Sequence, residues 1–377
     1  MTPSSNTSAS TGEPGPRVRA IAYYLPQFHP IPENDSWWGR GFTEWTNTVK
    51  ALPLFPGHYQ PHVPADLGFY DLRLPEAREA QAQMARDYGV EGFCYYHYWF
   101  GGKRLLERPF NEVLASGKPD LPFCLCWANE TWSGIWHGEP RRVLIEQTYP
   151  GPDDYERHFE TVLPALMDRR AIKVEGKPVF IVYSPRLLPD PVAFTDQWRK
   201  LAEKAGLPGL YLIGLANRNG PDGKVWRHEE HGFDGASVKN TGLAANSENN
   251  PWLRKFRRAK RRFLGQPPNL YDYAKAIEHF VLEECRETKV YPCAIPNWDN
   301  TPRSNTRGLV LHNSTPELWR RHLRQVLEQV KGKPDDHRIV FIKSWNEWAE
   351  GNHLEPDLKF GHQYLDALRE ELQTFRG

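Results

Sequence analysis

Ile339-Val340-Phe341-Ile342-Lys343-Ser344-Trp345-Asn346-Glu347-Trp348-Ala349-Glu350-Gly351 begins as a buried strand and ends as a polar, aromatic segment. An unbroken run of β-branched and aromatic residues suits a strand covered on both faces. Two carboxylates three residues apart follow it at once, set between indole rings. Carboxylate pairs do acid, base and nucleophilic work at acetal centres, and flat rings cover the apolar face of a sugar. A strand that ends in chemistry points to an α/β fold with its function at the carboxyl ends of parallel strands.

Seven similar runs precede this one, at residues 19–25, 92–98, 122–128, 178–183, 210–216, 233–238 and 290–296; the last run covers 338–344. Helical punctuation lies between them. Pro75 opens a stretch through Ala77, Ala80, Met84 and Tyr88 that Gly89 closes. Asp190-Pro191 and Gly206 bracket a second, and Thr315-Pro316 and Gly332 a third. A capping residue, a proline at the first helical position and a closing glycine delimit a helix. Residues 363–375 form the last helical stretch. Eight strands alternating with helices predict a (β/α)8 TIM barrel, one domain over residues 18–377 with long βα loops. The competing fold, an open doubly wound sheet, would want G-x-G-x-x-G after its first strand, and that pattern is missing. Residues 1–17, rich in Ser, Thr, Gly and Pro, read as a disordered tail.

Lys and Arg (48) balance Asp and Glu (47), so no overall charge argues for nucleic acid as a partner. The five cysteines are odd in number and make no C-x-x-C pair, which points to free thiols in a reducing compartment. The N-terminus lacks the apolar centre of a signal peptide, and no apolar window is long enough to span a bilayer. The expected location is the cytoplasm.

The strand ends supply the candidate substrate-binding residues: Tyr24, Gln27 and His29 after the first strand, then Tyr96, His97 and Trp99, then Trp127, Asn129 and Glu130. Tyr183, Asn217, Trp298, Asp299, Trp345 and Asn346 complete the series. Amides, carboxylates and rings are the composition of a sugar site, whereas a phosphate site would show glycine-rich backbone with Lys or Arg. For Glu347 and Glu350 to face one cavity the chain must leave the strand and turn, since residues three apart in a strand face opposite sides. A helical turn would bring them to the spacing of roughly 5–5.5 Å found in retaining glycosidases. Mutual repulsion and flanking Trp345 and Trp348 would leave one of the two protonated near neutral pH, as the acid. No metal or cofactor is called for. His228-Glu229-Glu230-His231 spaces its histidines by three rather than the four of the zinc helix motif. No G-x-S-x-G is present.

Between the sixth and seventh strands Arg254, Lys255, Arg257, Arg258, Lys260, Arg261 and Arg262 interleave with Leu253, Phe256 and Phe263. Such a run is either a solvated helix face or a contact with an anionic surface, a membrane or a phosphorylated carrier lipid.

Long motifs carry a resemblance. They are Tyr23-Tyr24-Leu25-Pro26-Gln27-Phe28-His29-Pro30, Trp37-Trp38-Gly39 with Gly41-Phe42-Thr43-Glu44-Trp45, Gly92 to Trp99, Leu125 to Glu130, and Asn346-Glu347-Trp348 with Glu350-Gly351. From about residue 18 onward the chain resembles the WbsX-type, glycoside hydrolase family 99-like proteins of O-antigen and other polysaccharide gene clusters, relatives of the endo-α-mannosidases. The resemblance adds Trp45 to the substrate-binding candidates. It implies a (β/α)8 barrel and a retaining mechanism. Glu347 would deprotonate the sugar's own 2-hydroxyl to form a 1,2-anhydro sugar, and Glu350 would be the acid and then the base. The WbsX branch carries the label glycosyltransferase, so two activities stand open: a retaining endo-acting hydrolase, or a transferase of surface-polysaccharide assembly. An oligo- or polysaccharide is the substrate in both. An idle glycan-binding barrel is the third reading.

Overall fold

Eight parallel strands close into a barrel: β1 (Arg19–Tyr24), β2 (Val90–Phe100), β3 (Phe123–Trp127), β4 (Lys177–Val182), β5 (Tyr211–Ala216), β6 (Gly235–Val238), β7 (Val290–Ala294) and β8 (Ile339–Ile342). The computed structural model describes residues 17–134, 139–216, 226–248 and 250–375. The tail proposed for residues 1–17 therefore lies almost wholly outside the described residues, as does Asn217. Each strand pairs with its sequence neighbours, and β1 closes the ring against β8, with Arg19 opposite Ile339 and Ala22 opposite Ile342. Closure leaves this sheet without a free edge between first and last strand. The (β/α)8 architecture expected from the sequence is the one observed.

The helices begin and end where the punctuation places them. Pro75–Asp87, Pro191–Lys204 and Pro316–Val330 each start on proline, and Gln363–Thr374 closes the chain. The Asp190 carboxylate accepts from the Ala193 N–H, and the Thr315 hydroxyl oxygen from the Leu318 N–H, each satisfying an otherwise orphaned donor. Among the described residues no helix is long and apolar enough to cross a membrane.

Side-chain alternation along the strands decides which groups reach the centre. Tyr23 points inward, stacking on Tyr96 at 5.6 Å and approaching the Ser237 hydroxyl at 3.4 Å. Tyr24 points outward and donates to Gln81 on helix Pro75–Asp87 at 2.7 Å. On β2 the same alternation sends Tyr96 and Tyr98 to the mouth, while His97 and Trp99 meet His158 and Asp154 of helix Pro152–Met167. Trp127 likewise packs outward, on Phe194 and His158.

Candidate active site

After Ile342 the alternation turns Lys343 inward, and the chain then leaves the barrel wall. Asn346–Glu347 pairs antiparallel with Asn352–His353, and the turn Trp348–Glu350 lies between them. The departure from the strand that the paired carboxylates require is thus present. Gly351 ends the turn with φ +52°, where a Cβ would come within 2.9 Å of the Asp299 backbone oxygen. Asn346 holds the turn to the first strand: its Oδ1 accepts from the Leu25 N–H at 2.7 Å and its Nδ2 donates to the Leu25 carbonyl at 3.0 Å.

Glu347 and Glu350 converge on one ammonium. Lys343 Nζ donates to Glu347 Oε2 and to the Tyr96 hydroxyl at 2.8 Å, and stands 4.0 Å from Glu350 Oε2. Arg303 holds Glu350 from the other side, its Nη1 2.8 Å from Oε1, while its Nη2 lies 2.5 Å from Glu44 Oε1. Glu44 also accepts from the Ala349 N–H at 3.1 Å. Burial alone would push the Glu350 carboxyl up, but Arg303, Lys343 and Lys239 together outweigh it and hold the group below its ordinary range. For Glu44 burial wins over Arg303, and its carboxyl is pushed up.

The two acids stand in a cleft of about 440 Å³, within the usual range for a small-molecule site. Tyr96, Tyr98, Tyr183, Trp38, Trp132 and Trp298 give it ring walls. Lys239, one residue past β6, donates to the Tyr183 hydroxyl at 3.1 Å and sits 5.1 Å from the Trp298 ring centre.

Of the substrate-binding candidates, Gln27, Tyr96, Glu130, Tyr183 and Trp298 line this cleft. Most of the others are drawn elsewhere by identifiable contacts. Tyr24, His97, Trp99 and Trp127 face the outer helices, because strand alternation turns them away from the centre. His29 is buried with its Nδ1 3.1 Å from the Pro26 carbonyl. Trp45 donates to the Tyr70 carbonyl and packs on Phe28 and Trp348. Asn129 clamps Ser184, accepting from its N–H at 2.7 Å and donating to its carbonyl at 2.9 Å, and so shapes the loop beneath Glu130. Asn346 is fully engaged with Leu25, as above. Asp299 lines a neighbouring cavity of about 70 Å³, where His58, Gln60 and Thr301 occupy its carboxylate. Its backbone N–H donates to the Glu350 carbonyl at 2.7 Å, so it braces the turn.

The expected role of the two indoles is also corrected. Trp345 packs on Phe93 in the core, and Trp348 stacks on His353 at 3.8 Å and donates to Glu355. Neither desolvates the carboxylate pair. The shift at Glu350 runs opposite to the one expected from repulsion, because the cations outnumber the local repulsions.

Sequence reading passed over Tyr98, Lys239, Lys343, Arg303 and Glu44. Strand alternation was signal enough for three: Tyr98 is two residues after Tyr96, Lys343 two after Phe341, and Lys239 two after Ser237. Arg303 and Glu44 come from the short helices Thr301–Ser304 and Glu44–Val49 within the βα connections, and no periodicity marks them. A donor group, His62, His353 and Asp357, has its ligand atoms within 4.8 Å of one another. His62 and His353 already share a ring-to-ring hydrogen bond of 2.8 Å, and His353 Nδ1 lies 2.9 Å from the Glu355 carbonyl. These bonds account for the group as a structural brace beside the cleft.

The model of the family described as Glycosyltransferase WbsX matches residues 20–368. Two curated proteins of Xanthomonas campestris pv. campestris, both described as uncharacterized protein WxcX, are similar: 40% identical over 356 residues in strain B100, and 41% over 354 residues in strain ATCC 33913. Each alignment covers 93% of this chain and 49% of the relative, so the chain spans about half the length of these proteins. Among solved structures, a glycoside hydrolase-like protein superposes with TM-score 0.58 at 16% identity, over 97% of this chain and 98% of that one. A GH99 endo-alpha-mannosidase from Bacteroides thetaiotaomicron superposes with TM-score 0.55 at 16% identity, over 95% and 98%. At that identity the likeness is one of fold.

Proposed function

We propose, from the premise that this chain belongs to the WbsX glycosyltransferase family, that it acts on glycosidic bonds of an oligo- or polysaccharide with Glu347 and Glu350 as the reacting carboxylates. The observation that carries the reading is the meeting of both acids on Lys343 within a ring-walled cleft at the carboxyl ends of the strands. The reaction that this arrangement supports best is endo-acting hydrolysis with retention; a solved structure that shares the barrel is named an endo-alpha-mannosidase. Glu347 takes the proton of the sugar's 2-hydroxyl, and the freed oxygen attacks the anomeric carbon as the bond to the leaving oxygen breaks. Glu350 gives that oxygen a proton and later takes one from the water that attacks the anomeric carbon, while Glu347 returns its proton to the 2-oxygen as the 1,2-anhydro ring opens. Glu350 rests as an anion beside Arg303, so its proton is gained when a bound sugar displaces the Arg303 contact. The setting is cytoplasmic, in keeping with five buried free thiols. The basic helix after β6 adds contact with an anionic surface.

The test is release of oligosaccharide from a panel of bacterial O-antigens and α-mannans, with NMR of the first-formed anomer. Glu347→Gln and Glu350→Gln should each lower turnover by roughly 10²–10⁴-fold. Undiminished turnover in either variant refutes the assignment, and glycan binding without product in the parent protein would leave an idle binding barrel.

A second reading has its own support. Lys239, Lys343 and Arg303 bring three cations to the cleft, more than a neutral sugar needs. They suit the phosphates of an activated donor, and thus transfer. Calorimetry with common nucleotide sugars distinguishes the two: binding that Lys239→Met weakens favours transfer.

A further inference from the structure

Helix Pro251–Phe263, on the excursion between β6 and β7, carries seven cations and no acid. At about 100° per residue, Trp252, Phe256 and Phe263 fall on one stripe, bordered by Leu253 and Leu264. Arg254 and Arg261 fall on the opposite side. In a helix of a globular protein the apolar stripe faces the core. Here the orientation is reversed. Arg254 donates to the Ala245 carbonyl at 3.3 Å, and Arg261 donates to the Pro268 carbonyl at 3.4 Å and pairs with Glu248 at 3.5 Å. The charged side is therefore the one docked on the protein. Trp252 is 80% exposed, Phe256 67% and Phe263 90%. Lys255 and Arg262 flank the stripe on one side and Lys260 on the other, all exposed. Asn250 fixes the helix start, its Oδ1 accepting from the Trp252 and Leu253 N–H groups.

We propose that this helix lies in the surface of an anionic phospholipid bilayer, with Trp252, Phe256 and Phe263 inserted below the headgroups and the flanking cations paired with lipid phosphates. Charge complementarity selects this occupant. The rings need an apolar phase, and the lysines and arginines on both flanks need negative charge at its boundary. A bilayer interface supplies both within one helix diameter. The loop that carries the helix also carries Lys239 into the cleft, so docking brings the barrel mouth to the membrane and favours glycans built on or held at lipid. That purpose rests on the glycan-processing reading, but membrane binding is measured without any sugar and stands or falls separately.

The experiment is flotation of the full chain with phosphatidylcholine vesicles, with and without phosphatidylglycerol. Two triple variants accompany it: Trp252→Ser with Phe256→Ser and Phe263→Ser, and Lys255→Gln with Lys260→Gln and Arg262→Gln. All six side chains are exposed, so unchanged circular dichroism is expected. The parent protein should float with the anionic vesicles only, and each triple variant should weaken partitioning by roughly tenfold or more. Brominated lipid should quench fluorescence in the parent protein and quench it less in Trp252→Phe. Failure of the parent protein to float overturns the proposal. So does binding lost in the charge variant but unchanged in the ring variant, which is adhesion to any polyanion. A dimer in sedimentation velocity that the ring variant dissolves, with no flotation, assigns the face to a second copy.

Discussion

Arg303 Nη1 stands 2.8 Å from Glu350 Oε1, and this contact is the strongest of the attractions that keep a fully buried carboxyl ionised. The same guanidinium reaches Glu44, so one residue links two acids from distant parts of the chain, although at Glu44 burial outweighs its pull. Arg303→Met should raise the Glu350 pKa. The limb of the kcat/KM profile that reports this group should move to higher pH by about one unit or more. A pH–rate series on parent and variant checks the direction.

Lys343 is nearly inaccessible and stands between the two acids. Replacing it with Met leaves buried negative charge without its nearest partner, a change that costs about 3–5 kcal/mol. Glu347→Gln in the same chain should recover part of that loss. Denaturant unfolding of the single and double variants should show coupling well outside additivity.

Glu355 lies behind the Trp348 ring, where burial pushes its carboxyl up to about 7 against the pull of its donors Trp348, Gln81 and Tyr70. The folded state then holds this proton more tightly than the unfolded chain. The stabilisation is complete below the unfolded carboxyl value and is lost as pH rises through about 7. Over that window the parent protein should lose about 3 kcal/mol relative to Glu355→Gln. Chemical unfolding at acid and mildly alkaline pH measures the difference in slope.

Gly351 holds a left-handed conformation against the Asp299 backbone. Gly351→Ala adds backbone strain and forces the turn away from Asp299, moving Glu350 with it. Turnover should fall roughly a hundredfold, since displacements of about 1 Å are enough for that, while circular dichroism changes little. Activity equal to the parent would show that the turn tolerates the shift.

Tyr98 and Trp99 are neighbours on β2 that face opposite ways. Tyr98→Leu should raise KM or lower kcat, because the ring lines the cleft. Trp99→Ala should leave KM near the parent value and cost about 3–5 kcal/mol of stability, because the indole packs on His158 and donates to Asp154 outside the barrel. Thermal unfolding and steady-state kinetics on both variants separate the two roles.

Much of the barrel was legible because its signals are local. The runs ending near Tyr24, Tyr98, Trp127 and Tyr183 are apolar on both faces, and Asp190-Pro191 and Thr315-Pro316 carry their own helix starts. The binding side chains were harder to sort. Reading every polar or aromatic residue at a strand end gathered Tyr24, His97, Trp99 and Trp127 with Tyr96 and Tyr183. Applying the two-residue alternation would have removed the first four, and it would have pointed to Lys343 and Lys239.

By itself, then, the chain's order of residues determined eight strands, the helices between them, and a pair of carboxylates leaving the last strand in a turn. These follow from short-range periodicity and capping, which act within a few residues. Tertiary structure alone decided that Arg303 and Glu44, 259 positions apart, meet beside Glu350. It also decided that the carboxyl so held is an anion rather than an acid. Charge states depend on which groups lie within a few ångströms in space, and the long connections that carry the short helices of Arg303 and Glu44 bring these together without any repeating pattern to announce it.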